Sequence, residues 1–231
     1  MNETIRKRKS IRKFDMTALD EATLEKVQSF AMSAKPLFAD INYTIELTEK
    51  TKGLGNIKAP HYLIFKSETT DSSQENIGFI GQQIDLFLAE NGLGSCWLGL
   101  SKPTESDTAG LPYVICIAFG KPAEPLYRDI STFKRKQLNA ISEGNDLRLE
   151  AARLAPSGLN GQHWFFVAES NKIHCYRRKL GKITGAFLDK IERIDIGIAI
   201  CHIAVESDNF SFTPEDNAPE KKGFIYVGTV S

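Results

Sequence analysis

The sequence predicts an α+β fold in which two α/β halves form an intrachain pseudo-dimer around a buried helical core. Three observations carry this expectation. Strands and helices alternate in the same order twice along the 231 residues. Each repeat holds one apolar helix: residues 76–91 carry an apolar face, and 194–206 are apolar nearly all round, as a buried helix requires. Short segments also match across the chain: HYLIF at 61–65 with HWFFV at 163–167, and Ile77, Gly78 and Ile84 with Ile196, Gly197 and Ile203. The strand ending at Gly120 matches the one ending at Gly228. The offsets differ, so insertions are required. An internal duplication is the favoured reading, with halves 1–140 and 141–231 packed as one compact unit that mimics a homodimer.

Residues 2–9 read as a short basic helix and 20–34 as an amphipathic one. Tyr43 to Leu47 alternates like a strand, and 61–66 forms a second strand after Pro60. The helix at 76–91 puts Ile77, Ile80, Ile84, Phe87 and Leu88 on one face and stops at Gly92 and Gly94. Trp97 to Leu100 is short and apolar, and Tyr113 to Phe119 is a buried strand closed by Gly-Lys-Pro. In the second half, 145–154 is a helix with Asn145 or Asp146 as N-cap, and Pro156 to Gly161 is a loop. Strands are expected at His163 to Ala168, Ile173 to Tyr176 and Phe224 to Val230.

Composition narrows the function classes. Lys+Arg and Asp+Glu are 29 each, so the net charge is zero, which argues against a dedicated nucleic-acid binder. Cys96, Cys116, Cys175 and Cys201 match no common zinc spacing and read as core thiols in a reducing compartment. No apolar h-region follows the basic start, and no run approaches the ~20 apolar residues of a membrane span. The expectation is a soluble, cytoplasmic protein with no nucleic-acid or membrane partner. The four histidines, His61, His163, His174 and His202, lie in or near apolar segments and form no ligand cluster.

Four segments could carry chemistry. Six of the eight residues from Arg6 to Lys13 are basic, and Arg8, Lys9, Ser10 and Arg12 suit a phosphate: guanidiniums grip oxygens in a fork and a hydroxyl adds a bond. A solvated helix face or a weak nucleic-acid patch reads equally from the same residues. The segment APSGLNGQHW, Ala155 to Trp164, offers amides, a serine and small residues to a polar planar ligand, or forms an ordinary turn. GLGSCWLGL, Gly92 to Leu100, is a helix stop and strand that leaves the backbone near Gly99 open to a flat ring. Neither it nor any other segment is a phosphate-binding glycine loop of the nucleotide-binding kind. Lys134, Arg135 and Lys136 form a second phosphate candidate or a charged linker.

Together, RxSxRKF (Arg8 to Phe14), GLGxxW (Gly92 to Trp97), APSxxNxQxW (Ala155 to Trp164) and a late basic residue after a G-x-P strand end resemble the FMN-dependent nitroreductase family. The resemblance touches most of the chain. The order is unusual, because APSxxNxQ follows GLGxxW instead of preceding it. That layout is similar to the nitroreductase subgroup in which two diverged halves form a pseudo-dimer. In homodimeric members, one subunit brings RxSxR, GLGxxW and the late basic residue to each FMN, and the other brings PSxxN. Here the first half has AMSAKPLFADIN in place of PSxxN, and the second half lacks RxSxR. The losses are complementary and leave one complete site.

The resemblance implies roles. Arg8 and Ser10, with Lys134 or Arg135, would hold the FMN phosphate and ribityl chain, and Lys9 belongs to the same run. Arg12 would lie near the pyrimidine edge of the ring, where a cation stabilises the reduced anion. Leu98 and Gly99 would offer backbone near N5. Pro156, Ser157 and Asn160 would cover the ring from the other half, with Gln162 beside them. The implied reaction is ping-pong hydride exchange from NAD(P)H to a nitro, quinone or similar small acceptor, with no protein nucleophile. A flavin-binding or flavin-storage protein without turnover is the alternative. A pseudo-dimer could remain monomeric, since its dimer interface is already intramolecular.

Overall fold

The computed structural model describes residues 2–53, 57–104, 110–181 and 185–231, the side chains of 186 and 187 excepted. In chain order the elements are α1 (Asn2–Ile5), α2 (Glu21–Ser33), β1 (Tyr43–Thr48), β2 (Thr51–Gly53), β3 (His61–Ser67), α3 (Ser73–Glu90), β4 (Gly94–Leu98), β5 (Ser101–Pro103) and β6 (Tyr113–Gly120). The second part adds β7 (Ser142–Glu143), α4 (Arg148–Leu154), β8 (Trp164–Glu169), β9 (Lys172–Arg178), α5 (Gly185–Val205), β10 (Phe212–Thr213) and β11 (Phe224–Val230). One sheet runs β1-β3-β6-β4, another β10-β11-β9-β8-β7, and β2 pairs with β5.

With the two-residue parallel strand β7 set aside, each large sheet, read from its first strand, has the same connectivity. A hairpin partner follows, then a long helix, then an edge strand and the strand that joins it to the hairpin: β1-β3-β6-β4 and β8-β9-β11-β10. This corrects the matching of HYLIF with HWFFV. HYLIF lies in β3, second in this pattern, and HWFFV in β8, its first. The error comes from the connections. Ser170 and Asn171, both at positive φ, close β8 and β9 into a two-residue hairpin, whereas β1 reaches β3 through β2 and a longer excursion.

The glycine match holds in space. α3 and α5 cross so closely that a Cβ on Gly78 would lie 2.1 Å from the Ile194 carbonyl oxygen, and one on Gly197 would lie 2.0 Å from that of Glu75. Gly78 is three residues beyond Glu75 and Gly197 three beyond Ile194, so the contact is reciprocal, as across a two-fold axis. Ile77, Ile80 and Ile84 of α3 and Ile196, Ile200 and Ile203 of α5 are fully buried around this crossing.

Alternation along β3 and β6 sends Leu63, Phe65, Ile115, Ile117 and Phe119 into the helical core. Tyr62, Ile64, Cys116 and Ala118 face the other way, where Ile11 and Phe14 cover them. Covering that face requires an extended N-terminal segment, so the helix expected over 2–9 ends at Ile5. Beyond it the chain runs flat: Ile11 N–H donates to the Ser95 carbonyl, and Asp15 N–H to that of Lys121. Crowded like charges along residues 6–13 disfavour a continued helix. α5 starts at Gly185 instead of near 194, because its first turns carry the charged stretch DKIER and lack the apolar signature. Among the described residues, no helix is long and apolar enough to cross a membrane.

Candidate functional site

Strand β4 pairs with β6 through Leu98 and then leaves the sheet at Gly99. The N-terminal segment lies beside it, held by the Ile11–Ser95 bond and by the Arg12 and Lys13 amides, which donate to Glu124 Oε1 at 2.7 and 3.3 Å. Facing them across a gap stand the loop after α4 and one side of α5. The gap is a cavity of about 350 Å³. Its first-half wall includes Ser10, Arg12, Trp97, Leu98 and Gly99. Its second-half wall includes Pro156, Ser157 and Gly158, with Ile191, Ile194, Asp195 and Ile198 from a single face of α5.

The cavity therefore gathers Ser10, Arg12, Leu98, Gly99, Pro156 and Ser157 from the three sequence segments. The Arg12 side chain is exposed there and has no ion-pair partner among the described residues. A Cβ built on Gly99 would meet only Ile191 Cδ1, at 4.0 Å, apart from its chain neighbours, so the space beside Gly99 is open toward the cavity.

Other predicted residues stand behind the lining. Arg8 is buried, its Nε 3.0 Å from Asp85 Oδ2 and its Nη2 3.5 Å from Ser10 Oγ. Lys9 turns to Glu124, 3.6 Å away. Arg135 reaches across from the first half: Nη1 donates to Asn160 Oδ1 at 2.6 Å and Nη2 to the Leu154 carbonyl at 3.1 Å. Asn160 Nδ2 donates in return to the Lys134 carbonyl, while the exposed Lys134 side chain lies outside the lining. Gln162 is buried and accepts from the Lys136 amide at 2.7 Å. Asn160 and Gln162 thus clasp the 134–136 segment instead of lining the cavity.

Sequence reasoning missed Arg128 and the α5 face. The Arg128 guanidinium stacks 3.6 Å over the Phe133 ring, and that of Arg135 lies 5.5 Å from the same ring. Burial pushes Arg135 down to about 10, helped by the charges of Arg128, Arg8 and Arg153. Burial and Arg8 lower Arg128 as well, and its Nε is buried without a hydrogen-bond partner among the described residues. Crowded guanidiniums with an orphaned donor are a fit for an oxyanion. A lone arginine in LYRDIST gives no sequence signal.

Asp195 Oδ1 and Oδ2 both accept from Gly158 N–H, at 2.9 and 3.0 Å. Burial pushes its carboxyl up to about 8, against the bond from Gly158 and with the nearby charge of Glu192. Between about pH 4 and about pH 8 the folded chain holds a proton that the unfolded chain has released. Its contribution to stability therefore falls as pH rises through that window. Asp195→Asn should remove that part of the slope, measured by denaturant unfolding at about pH 5 and about pH 8.

The histidines serve structure. His202 is fully buried and pushed down to about 3 by burial, so it is neutral. It accepts from Gln82 Nε2 (3.2 Å) and donates from Nδ1 to the Ala151 carbonyl (3.0 Å). Gln82 Nε2 also donates to Asp85, so a buried chain of hydrogen bonds runs from the Arg8–Asp85 pair to α4. His61 Nε2 accepts from Leu19 N–H, His163 pairs with Glu192, and His174 with Thr229 and Glu169. All four cysteines are free and buried. No cluster of metal-ligating side chains occurs among the described residues.

Comparison with solved structures agrees with this architecture. A structure described as "a putative nitroreductase" from Thermotoga maritima MSB8 aligns with 99% of this chain and 91% of its own, at 23% identity and a TM-score of 0.65. A nitroreductase family protein from Clostridium difficile 630 aligns with 64% of this chain and 99% of its own, at 17% identity and a TM-score of 0.51. Both likenesses concern the fold. No curated protein matches the sequence. The model of the family described as "Putative TM nitroreductase" matches residues 1–207, and the chain belongs to that family.

Proposed function

We propose that this nitroreductase-family oxidoreductase binds one FMN in the cavity between its halves and uses it to pass electrons from NAD(P)H to a small nitro or quinone acceptor. The observation that carries the reading is the composition of the cavity. Neither half alone supplies both walls: Ser10, Arg12, Leu98 and Gly99 come from one, Pro156, Ser157 and the α5 face from the other. This is the arrangement of a dimer-interface site folded into one chain, and it supports a pseudo-dimer that works as a monomer. Four buried free thiols fit a reducing compartment such as the cytoplasm.

Bound FMN would supply hydride transfer at its ring. The chain would bind and polarise it. Arg8, Arg128 and Arg135, crowded together and with Arg128 Nε unpartnered among the described residues, would hold the phosphate. Ser10 would join them to the ring site through its contact with Arg8. Arg12, with no ion pair among the described residues, would stabilise negative charge on the reduced ring. Gly99 leaves room for a flat group against the backbone. Ile191, Ile194 and Ile198 exclude water from the opposite wall, which strengthens every charge inside.

Gly99→Leu tests the placement. It should weaken FMN binding at least ~100-fold, the loss of roughly 3 kcal/mol, because the side chain occupies the cavity. Flavin-fluorescence quenching measures this, and thermal unfolding checks that the fold survives. Unchanged FMN affinity in a folded variant would place the flavin elsewhere.

A further inference from the structure

We propose that Asp195 is a proton donor to the bound acceptor, a role added to the flavin reading above and resting on it. α3 and α5 cross reciprocally. The spacing that sets Gly78 against Gly197, and Glu75 against Ile194, sets Asn76 against Asp195. The two residues do the same structural job in the two halves. Asn76 Oδ1 accepts from the amides of Leu37 and Phe38, in the loop after α2, at 2.8 and 3.0 Å. Asp195 accepts from the amide of Gly158, in the loop after α4.

An amide oxygen is therefore enough to tie such a loop to the central helix. On the cavity side an ionisable acid stands there instead, only 4% exposed and with no cation within ion-pair reach among the described residues. Burying an unpaired carboxylate is costly, and a neutral amide would avoid the cost. What an acid provides and an amide does not is a transferable proton, and Asp195 forms part of the cavity lining. The other ionisable groups near it do not neutralise its charge. Glu192, one turn earlier on α5, is engaged by His163 and Arg178 and repels a second carboxylate. Arg12 and Cys96 line the cavity from the N-terminal segment and β4. Burial raises the Cys96 thiol, so it remains protonated.

Two-electron reduction of a quinone to a hydroquinone takes up one hydride and one proton. NAD(P)H gives the hydride equivalent and leaves as NAD(P)+. The Asp195 O–H bond breaks, its proton forms an O–H bond on the acceptor, and the electron pair stays on the carboxylate. Solvent then returns a proton to Asp195.

The test uses full-length protein, wild type and Asp195→Asn, with FMN, NADPH and 1,4-benzoquinone. Asparagine keeps the acceptor for Gly158, as Asn76 does for its own loop, so the variant should fold and bind FMN. Infrared difference spectra of the flavin-free proteins should show a protonated-carboxyl band near neutral pH that is lost at alkaline pH and absent from the variant. In anaerobic stopped-flow, the variant should lose about 100-fold in quinone reduction beyond any change in flavin reduction, and its pH profile should lose the acidic form's advantage. Quinone reduction unchanged in the variant, or no such infrared band, overturns the proposal. Wild-type protein that takes up no FMN overturns the flavin reading and the proton step with it. In that case the band still reports whether Asp195 is an acid.

Discussion

Gly197→Ala is expected to lower the unfolding free energy by about 3 kcal/mol or more, one of the two largest effects foreseen for this chain. The added Cβ would sit 2.0 Å from the Glu75 carbonyl oxygen, and its next neighbours are further backbone atoms of Glu75 and Phe79. No flexible side chain can swing aside. α3 and α5 must separate, and the fully buried isoleucines on both helices lose contact together. Gly78→Ala should behave alike, with its Cβ 2.1 Å from the Ile194 carbonyl oxygen. Gly181→Ala, whose Cβ meets nothing within 4 Å, serves as the control and should stay within about 0.5 kcal/mol. Denaturant unfolding measures all three. A Gly197→Ala protein as stable as the wild type would contradict the close crossing.

Arg8→Ala should be comparably severe, for an electrostatic reason. Asp85 is fully buried, and Arg8 is its cationic partner. Removing the guanidinium leaves Asp85 with hydrogen bonds from Ser95 and Gln82 and an uncompensated charge, at a cost of about 3–5 kcal/mol. Arg8→Met combined with Asp85→Asn removes both charges and keeps most of the volume, so it should recover a large part of that loss. Neither protein should hold FMN well, because the phosphate loses Arg8 in both. Unfolding curves and flavin titration separate the two effects. A double variant no more stable than Arg8→Ala would show that the ion pair is not the source of the loss.

Much of this was legible in the chain, for reasons that particular residues make plain. The two central helices announce themselves because both are buried on most faces, and Gly78 and Gly197 stand out because close helix approach admits no side chain. Ser10, Arg12, Leu98, Gly99, Pro156 and Ser157 are readable because their motifs are contiguous. What escaped depends on long-range geometry. The helix expected over 2–9 is overruled by a sheet face that Ile11 and Phe14 must cover. The strand matching slipped by one position because β1 and β3 are joined by a long excursion and β8 and β9 by two residues. Arg128 and Asp195 are single charges in unremarkable contexts, and only folding shows one stacked on Phe133 and the other facing a cavity. Asn160 and Gln162 sit within the expected motif, yet their amides are committed to Arg135, Lys134 and Lys136.

Among the described residues, the position reciprocal to the cavity is taken up by protein groups. Across the crossing, the α3 face that mirrors the cavity wall carries Glu75, ion-paired to Arg193 at 3.1 Å, and Asn76, bound to the Leu37 and Phe38 amides. Titrating the purified protein with FMN, followed by visible absorbance and by quenching of flavin fluorescence, tests this most directly. Saturation at one FMN per chain is expected, with the bound flavin then bleached by NAD(P)H. Saturation at two per chain, or no uptake at all, would contradict it.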